Sequence, residues 1–241
     1  MNKLTPYNSP PQGLKMLAVM AAKASVVVLF VFELSNLIGL LSYKLEYSWI
    51  GLTVTTLVAY LLLTTIEYVL ISRYNIYLHW VTWPLVFVML AVDFSGDFFF
   101  LYDHWLPYDR LAHLSSGLIL VPLIFSFYNR ISWIKKWEYP LGINLLLALG
   151  SDVFLAVLYE IEEYSEDIIY HSHRLGNGFD TANDLLMNLT GAVVASVLIY
   201  FLIQEPQRIA MEEPAMASRG VLASKKTVRK AASKKKRNIK R

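Results

Sequence analysis

Cysteine is absent from the 241-residue chain. That excludes disulfides, thiolate metal sites and cysteine nucleophiles together. Charge is scarce as well: Asp, Glu, Lys and Arg make up 17% of the residues, against about 25% in an ordinary soluble domain. A Gly-rich dinucleotide fingerprint, a phosphate-binding P-loop and a nucleophilic Ser motif are also missing, which weakens oxidoreductase, kinase and hydrolase readings. What is present is apolar. Hydrophobic residues make up 56% of the chain and aromatics 14%, and the mean hydropathy is +0.43. Such a composition belongs to a membrane protein, with Trp and Tyr available for two membrane–water interfaces.

A membrane span needs about 20 mostly apolar residues to cross roughly 30 Å of hydrocarbon. Six stretches meet this, at about 24–42, 49–71, 78–101, 111–131, 141–161 and 184–203. Backbone groups in lipid must bond within their own segment, so helices rather than open strands follow. The expected fold is an all-α, polytopic bundle of six transmembrane helices over 24–203. A short segment, 1–23, precedes it and a basic tail, 204–241, follows. Pro107, Pro140 and the Gly176–Gly178 stretch mark breaks between helices.

The net charge of +3 hides two opposite parts. Residues 1–203 carry ten basic and sixteen acidic side chains, a balance of −6, and residues 204–241 carry a balance of +9. Basic residues gather in the N-terminal segment, the alternate loops and the tail, and this asymmetry predicts that both termini are cytoplasmic. The first apolar run is too long for a signal peptide and no small-residue cleavage site follows it, so it reads as retained. The tail ends KKTVRKAASKKKRNIKR. It has no apolar period and is expected to be disordered. As partners we expect membrane lipids, with residues 218–241 drawn to an anionic inner leaflet and no specific nucleic acid.

Ionisable residues inside apolar helices are expensive and default to function. Asp93 and Asp97 fall late in the third stretch. Asp109, Arg110 and His113 open the fourth, Glu160 and Glu163 close the fifth, and Asp180, Asp184 and Asn188 enter the sixth. Four segments thus bring polar groups to one membrane level. Their spacings are i,i+4 or i,i+3, which lines one face of each helix. Glu162, Glu166 and Asp167 are expected to point elsewhere and meet water. Glu33, Glu67 and Asp152 read as lone partners in helix–helix hydrogen bonds.

Simpler readings stand beside these. Asp109 after Pro107 fits an N-cap, and Thr181 with Asp184 fits a capping box. Glu160 and Glu163 could snorkel to the interface, although acids near a helix C-terminus oppose the macrodipole, and His171 and His173 read as a solvated loop pair. Seven carboxylates against few cations still need shared protons or a counter-ion. An oxygen-rich set with one imidazole suits Mg²⁺, Mn²⁺ or Ca²⁺ better than zinc.

The ordered pattern Asp109-Arg110-x-x-His113, Glu160-x-x-Glu163, Arg174 and Asp184-x-x-x-Asn188-x-x-Gly191 resembles that of VanZ-like membrane proteins. The strings YDRLAH, YEIEEY and FDTANDLL resemble the YjdF-like bacterial inner-membrane proteins. The resemblance spans about residues 90–200. Glu163 stands where VanZ-like proteins usually have Gln. The resemblance implies a bacterial-type cell membrane and marks these residues as the ones that matter, without naming a reaction.

The leading expectation is an outward-facing site for an envelope lipid or its head group, in a metal-assisted enzyme or a binding protein. Glu160, Glu163, Asp180 and Asp184 would hold a metal. His113 would act as general acid or base with Asp109 orienting its ring, beside Glu160 and Glu163 as further candidate catalytic groups. Arg110, Arg174 and Asn188 would bind substrate, and Asp93 and Asp97 would complete the polar site. The alternatives are an ion- or proton-coupled transporter, using acids at several depths, and a non-catalytic scaffold.

Overall fold

The computed structural model describes residues 10–105, 107–137, 139–176 and 178–203, and every regular element among them is helical. In chain order these are α1 (Leu14–Leu37), α2 (Trp49–Tyr74), α3 (Thr82–Phe98), α4 (Leu101–His104), α5 (Pro107–Lys135) and α6 (Leu141–Tyr170), followed by α7 (Gly178–Ile203). Five of them, α1, α2, α5, α6 and α7, are long and apolar enough to cross a membrane. With 17 residues, α3 sits at the short end of the spanning range, and it completes the six expected stretches. The chain divides into residues 1–197 and 198–241. The first unit holds α1 to α6 and α7 up to residue 197; in the second, residues 198–203 are the last residues of α7. The expected basic tail, 204–241, lies outside the described residues.

Several boundaries differ from the hydropathy reading, each for a local reason. α1 starts ten residues early because the charge of Lys23 is met by Glu67 of α2, at 2.5 Å. Trp83 of α3 also faces this pair: its Nε1 donates to Glu67 at 3.3 Å, and Lys23 lies 4.9 Å from its ring centre. α3 stops at Phe98, where Phe100 takes a left-handed φ of 56° and the chain makes the single turn of α4. That turn folds back because Gly96 has no side chain: a Cβ there would strike the rings of Tyr102 and Tyr108. α5 begins with Pro107 at its first position, where a missing N–H costs nothing. α6 runs to Tyr170, nine residues beyond the hydropathy boundary.

The bundle is built inside out relative to a soluble domain. Large apolar side chains such as Val28, Leu61, Phe154 and Val197 are exposed, which suits lipid contact. Among the described residues the buried set includes polar side chains about as often as apolar ones. With little hydrophobic force between helices in lipid, close backbone approach and interhelical hydrogen bonds hold such a bundle. Glu33 of α1 is fully buried and accepts from Thr56 of α2 at 3.2 Å. Arg130 of α5 donates to the Tyr77 carbonyl at 2.9 Å, and Asn144 of α6 donates to Asn129 of α5 at 3.1 Å.

A close helix–helix approach joins α5 to α7. A Cβ on Gly117 would meet the Asn188 carbonyl oxygen, with Ala192 N at 2.7 Å and Gly191 C at 3.1 Å. One on Gly191 would meet the Leu114 carbonyl oxygen, with Leu118 N at 3.1 Å. Backbone therefore lies on backbone. One turn away, this contact aligns His113 of α5 with Asp184 and Asn188 of α7.

Candidate functional site

The polar residues meet at the end of the bundle where α3 and α6 finish and α5 and α7 begin. They form two neighbouring groups, one around Arg174 and one around His113.

Arg174 comes from the α6–α7 loop, and Asp167 folds that loop inward. The Asp167 carboxylate accepts from Ser172 Oγ at 2.5 Å, from Arg174 N at 2.7 Å and from Leu175 N at 3.1 Å. The Arg174 side chain is 4% exposed. Its Nε donates to Glu163 at 3.0 Å, and its Nη2 donates to Asp93 at 3.2 Å and to the Tyr159 hydroxyl. Its Nη1 lies 3.7 Å from Glu166. Burial pulls the guanidinium pKa down, but Tyr159, Asp93 and Glu163 outweigh it and hold the pKa well above its usual value. Gly51 of α2 makes room for this pairing, since a Cβ there would strike both Arg174 and Glu166. Ser48, the N-cap of α2, donates to Glu166 and joins a third helix to the network.

Asp93 accepts two further bonds, from Tyr102 at 3.1 Å and from Tyr159 at 3.2 Å. Asp97, on the same helix, does other work. It is 1% exposed, and its Oδ1 accepts from Tyr47 N at 2.8 Å, which pins the α1–α2 connection.

His113 sits between two carboxylates, with Nε2 at 3.5 Å from Asp109 and 3.9 Å from Asp184. One donor atom from each of the three residues lies within 4.8 Å of the others. Tyr159 stands edge-on to the His113 ring, with centroids 6.1 Å apart, so it touches both groups. Glu160, 6% exposed, lies near His113 and Thr181. Three buried oxygens here have no hydrogen-bond partner: Asp184 Oδ1, Asn188 Oδ1 and Glu160 Oε2.

Two cavities open onto these groups. A small one, about 30 Å³, is bounded by Asp109, His113, Glu163, Arg174, Asp180 and Asp184 among others. A larger one, about 370 Å³, has Asp93, His113, Tyr159 and Asn188 at one end and His79 and Arg130 at the other. Between these ends it is walled mainly by apolar side chains, including Met89, Leu90, Leu120 and Leu155. Along α5 the wall runs from Ala112 to Arg130, roughly 27 Å at 1.5 Å per residue.

The expected site residues are thus distributed unevenly. Asp109, His113, Asp184 and Asn188 adjoin, with Glu160 nearby. Glu163 and Asp93 are taken up by Arg174. Arg174 itself has its Nε and Nη2 donors committed inside the protein, so it positions the network rather than offering a free fork to a ligand. Arg110 and Asp180 are exposed, although Asp180 borders the small cavity. Of the four expected metal ligands, only Asp184 is in the group whose donor atoms converge. Glu166 corrects the expectation that it meets water, since it is 4% exposed and paired. Its i,i+3 position after Glu163 extends the Glu160–Glu163 stripe, and that was the available signal. Tyr102 and Tyr159 carried none, because membrane proteins are rich in Tyr at interfaces.

No curated protein and no solved structure matches the chain. Residues 18–205 match the family described as "Predicted membrane protein (DUF2238)", and the chain belongs to that family.

Proposed function

Starting from membership of this family of membrane proteins, we propose that the chain binds, and acts on, an amphiphile of the cell envelope. The head group lies at the Asp109–His113–Asp184 end, and an apolar chain lies in the larger cavity. The observation that carries the reading is the continuity of that cavity with the polar cluster. A volume of about 370 Å³ falls in the range of ligand pockets, about 300–1,000 Å³. It equals roughly a dozen water-sized volumes of about 30 Å³ each, room for a slender chain. The roughly 27 Å length exceeds one leaflet, half of the roughly 30 Å hydrocarbon thickness, so a single lipid tail can lie along it. In this reading His113 exchanges a proton with the head group and Asp109 orients its ring. Asn188 contributes a polar contact at the junction of head and chain.

The same reading puts both termini in the cytoplasm and the polar cluster outward, in line with the distribution of basic residues. It keeps the resemblance to VanZ-like and YjdF-like proteins of the bacterial envelope. The tail over 218–241 is drawn to anionic lipid on the inner face. A second reading, proton-coupled transport, draws on Asp152, which is fully buried with both carboxylate oxygens unpartnered. The polar cluster at a single end favours the first.

The test is photolabelling of the full-length protein in nanodiscs with a lipid carrying a diazirine in its chain. Label is expected on Met89 and Leu120, and Ala156→Phe, which fills the cavity, is expected to remove it. Label confined to outward-facing residues such as Val28 and Phe154 would refute the reading.

A further inference from the structure

Within the proposed site the Asp109–His113–Asp184 group has the features of a cation site. Its three donor atoms lie within 4.8 Å of one another, and two ligands held at 2.0–2.6 Å by one ion are at most about 5 Å apart. The group borders a cavity of about 30 Å³, the volume of about one water molecule. Asp184 Oδ1 and Asn188 Oδ1 are each without a hydrogen-bond partner, and their residues are 4% and 2% exposed. A buried, unpaired polar atom costs about 1–3 kcal/mol and requires an explanation. Asn188 lies one turn after Asp184 on the same side of α7 and borders the larger cavity where that cavity reaches His113. Arg174 does not fill the role of counter-ion, because Asp93, Glu163 and Glu166 already surround it.

We propose that Asp109, His113 and Asp184 bind one divalent cation, that Asn188 completes its inner face, and that the open positions take an anionic oxygen of the head group. Two carboxylates, an amide oxygen and one imidazole form a mixed set suited to Mn²⁺. The cation resolves the crowding of acids without requiring shared protons; with His113 Nε2 on the ion, Lewis acidity toward a phosphoryl or carboxyl oxygen takes the place of proton exchange at His113. Glu163 and Asp180 border the cavity without belonging to the convergent set. The inference rests on the amphiphile reading only for the identity of the ligand on the open positions.

Mn²⁺ is the probe. Full-length protein in detergent, stripped with EDTA and dialysed, is titrated with Mn²⁺ and followed by electron paramagnetic resonance. One ion per chain is expected. Asp184→Asn and His113→Gln are expected to weaken binding on the order of 100-fold or more, while Asp97→Asn, an equally buried acid outside the group, leaves it unchanged. Size-exclusion profiles of the metal-free variants check that folding is retained. Absence of stoichiometric Mn²⁺, or equal binding by wild type, Asp184→Asn and His113→Gln, overturns the proposal. Photolabelling repeated in EDTA separates the two readings. Label on Met89 without Mn²⁺ binding leaves the amphiphile reading and removes the ion; Mn²⁺ binding without label does the reverse.

Discussion

Gly117→Ala and Gly191→Ala test whether the contact between α5 and α7 builds the site. Each new methyl group would meet backbone atoms of the facing helix, with Ala192 N at 2.7 Å in one case and Leu118 N at 3.1 Å in the other. Comfortable carbon contacts begin at about 3.5 Å, so the helices must separate by roughly 1 Å. Overpacking of this kind costs about 1–3 kcal/mol. The upper half of that range applies, because backbone, unlike the end of a flexible side chain, cannot turn aside. Replacing a helical Gly by Ala returns about 0.8–1 kcal/mol of intrinsic propensity, which leaves a net loss of about 1–2 kcal/mol. Gly150→Ala is the control. It lies in α6 with nothing within 4 Å of an added Cβ, so only the propensity gain remains. The two classes should therefore differ by about 2–3 kcal/mol in reversible unfolding in mixed micelles. A second readout follows from geometry. His113 Nε2 and Asp184 Oδ1 are 3.9 Å apart across this contact, so a 1 Å separation should also weaken Mn²⁺ binding. Stability of Gly117→Ala equal to that of Gly150→Ala, with Mn²⁺ affinity unchanged, would refute the argument.

Further outcomes follow from the same geometry. Arg174→Lys should destabilise the protein nearly as much as Arg174→Ala, because an ammonium cannot reproduce the planar fork that meets Glu163 and Asp93. Stranding buried acids in this way costs about 3–5 kcal/mol. Thermal unfolding close to wild type for Arg174→Lys would contradict it. Asp97→Asn keeps an oxygen for the Tyr47 N–H and should be nearly neutral, whereas Asp97→Leu should lose about 1–3 kcal/mol in the same assay; equal effects would contradict the assigned bond. Because the chain has no native cysteine, Asp103→Cys and Ser172→Cys can be labelled singly, and both should react with an impermeant thiol reagent in intact cells. Reaction only after permeabilisation reverses the orientation. Deleting residues 218–241 should leave insertion and folding intact, since that stretch is too polar to contribute to a core; aggregation of the truncated protein in detergent would contradict it.

Hydropathy alone sufficed for an all-helical membrane protein, because length and apolarity of a span are local properties that the bilayer thickness imposes. Helical spacing likewise put Asp109 with His113, and Asp184 with Asn188, each on one face of its own helix. Local rules misjudged the end of α6. Acids such as Glu166 and Asp167 near a helix C-terminus oppose the macrodipole, and what sustains them is Arg174, held in place by Asp167 itself. The partition of the acids was equally out of reach. Asp93 meets Arg174 across 81 positions of sequence, and nothing local says whether Glu163 turns toward Arg174 or toward His113. The decision lies in backbone proximity. Gly117 against Gly191 brings α5 onto α7, and Gly51 opens α2 to Arg174. Those approaches are steric facts of the packed bundle, where a missing side chain on one helix determines which charges on the others can meet.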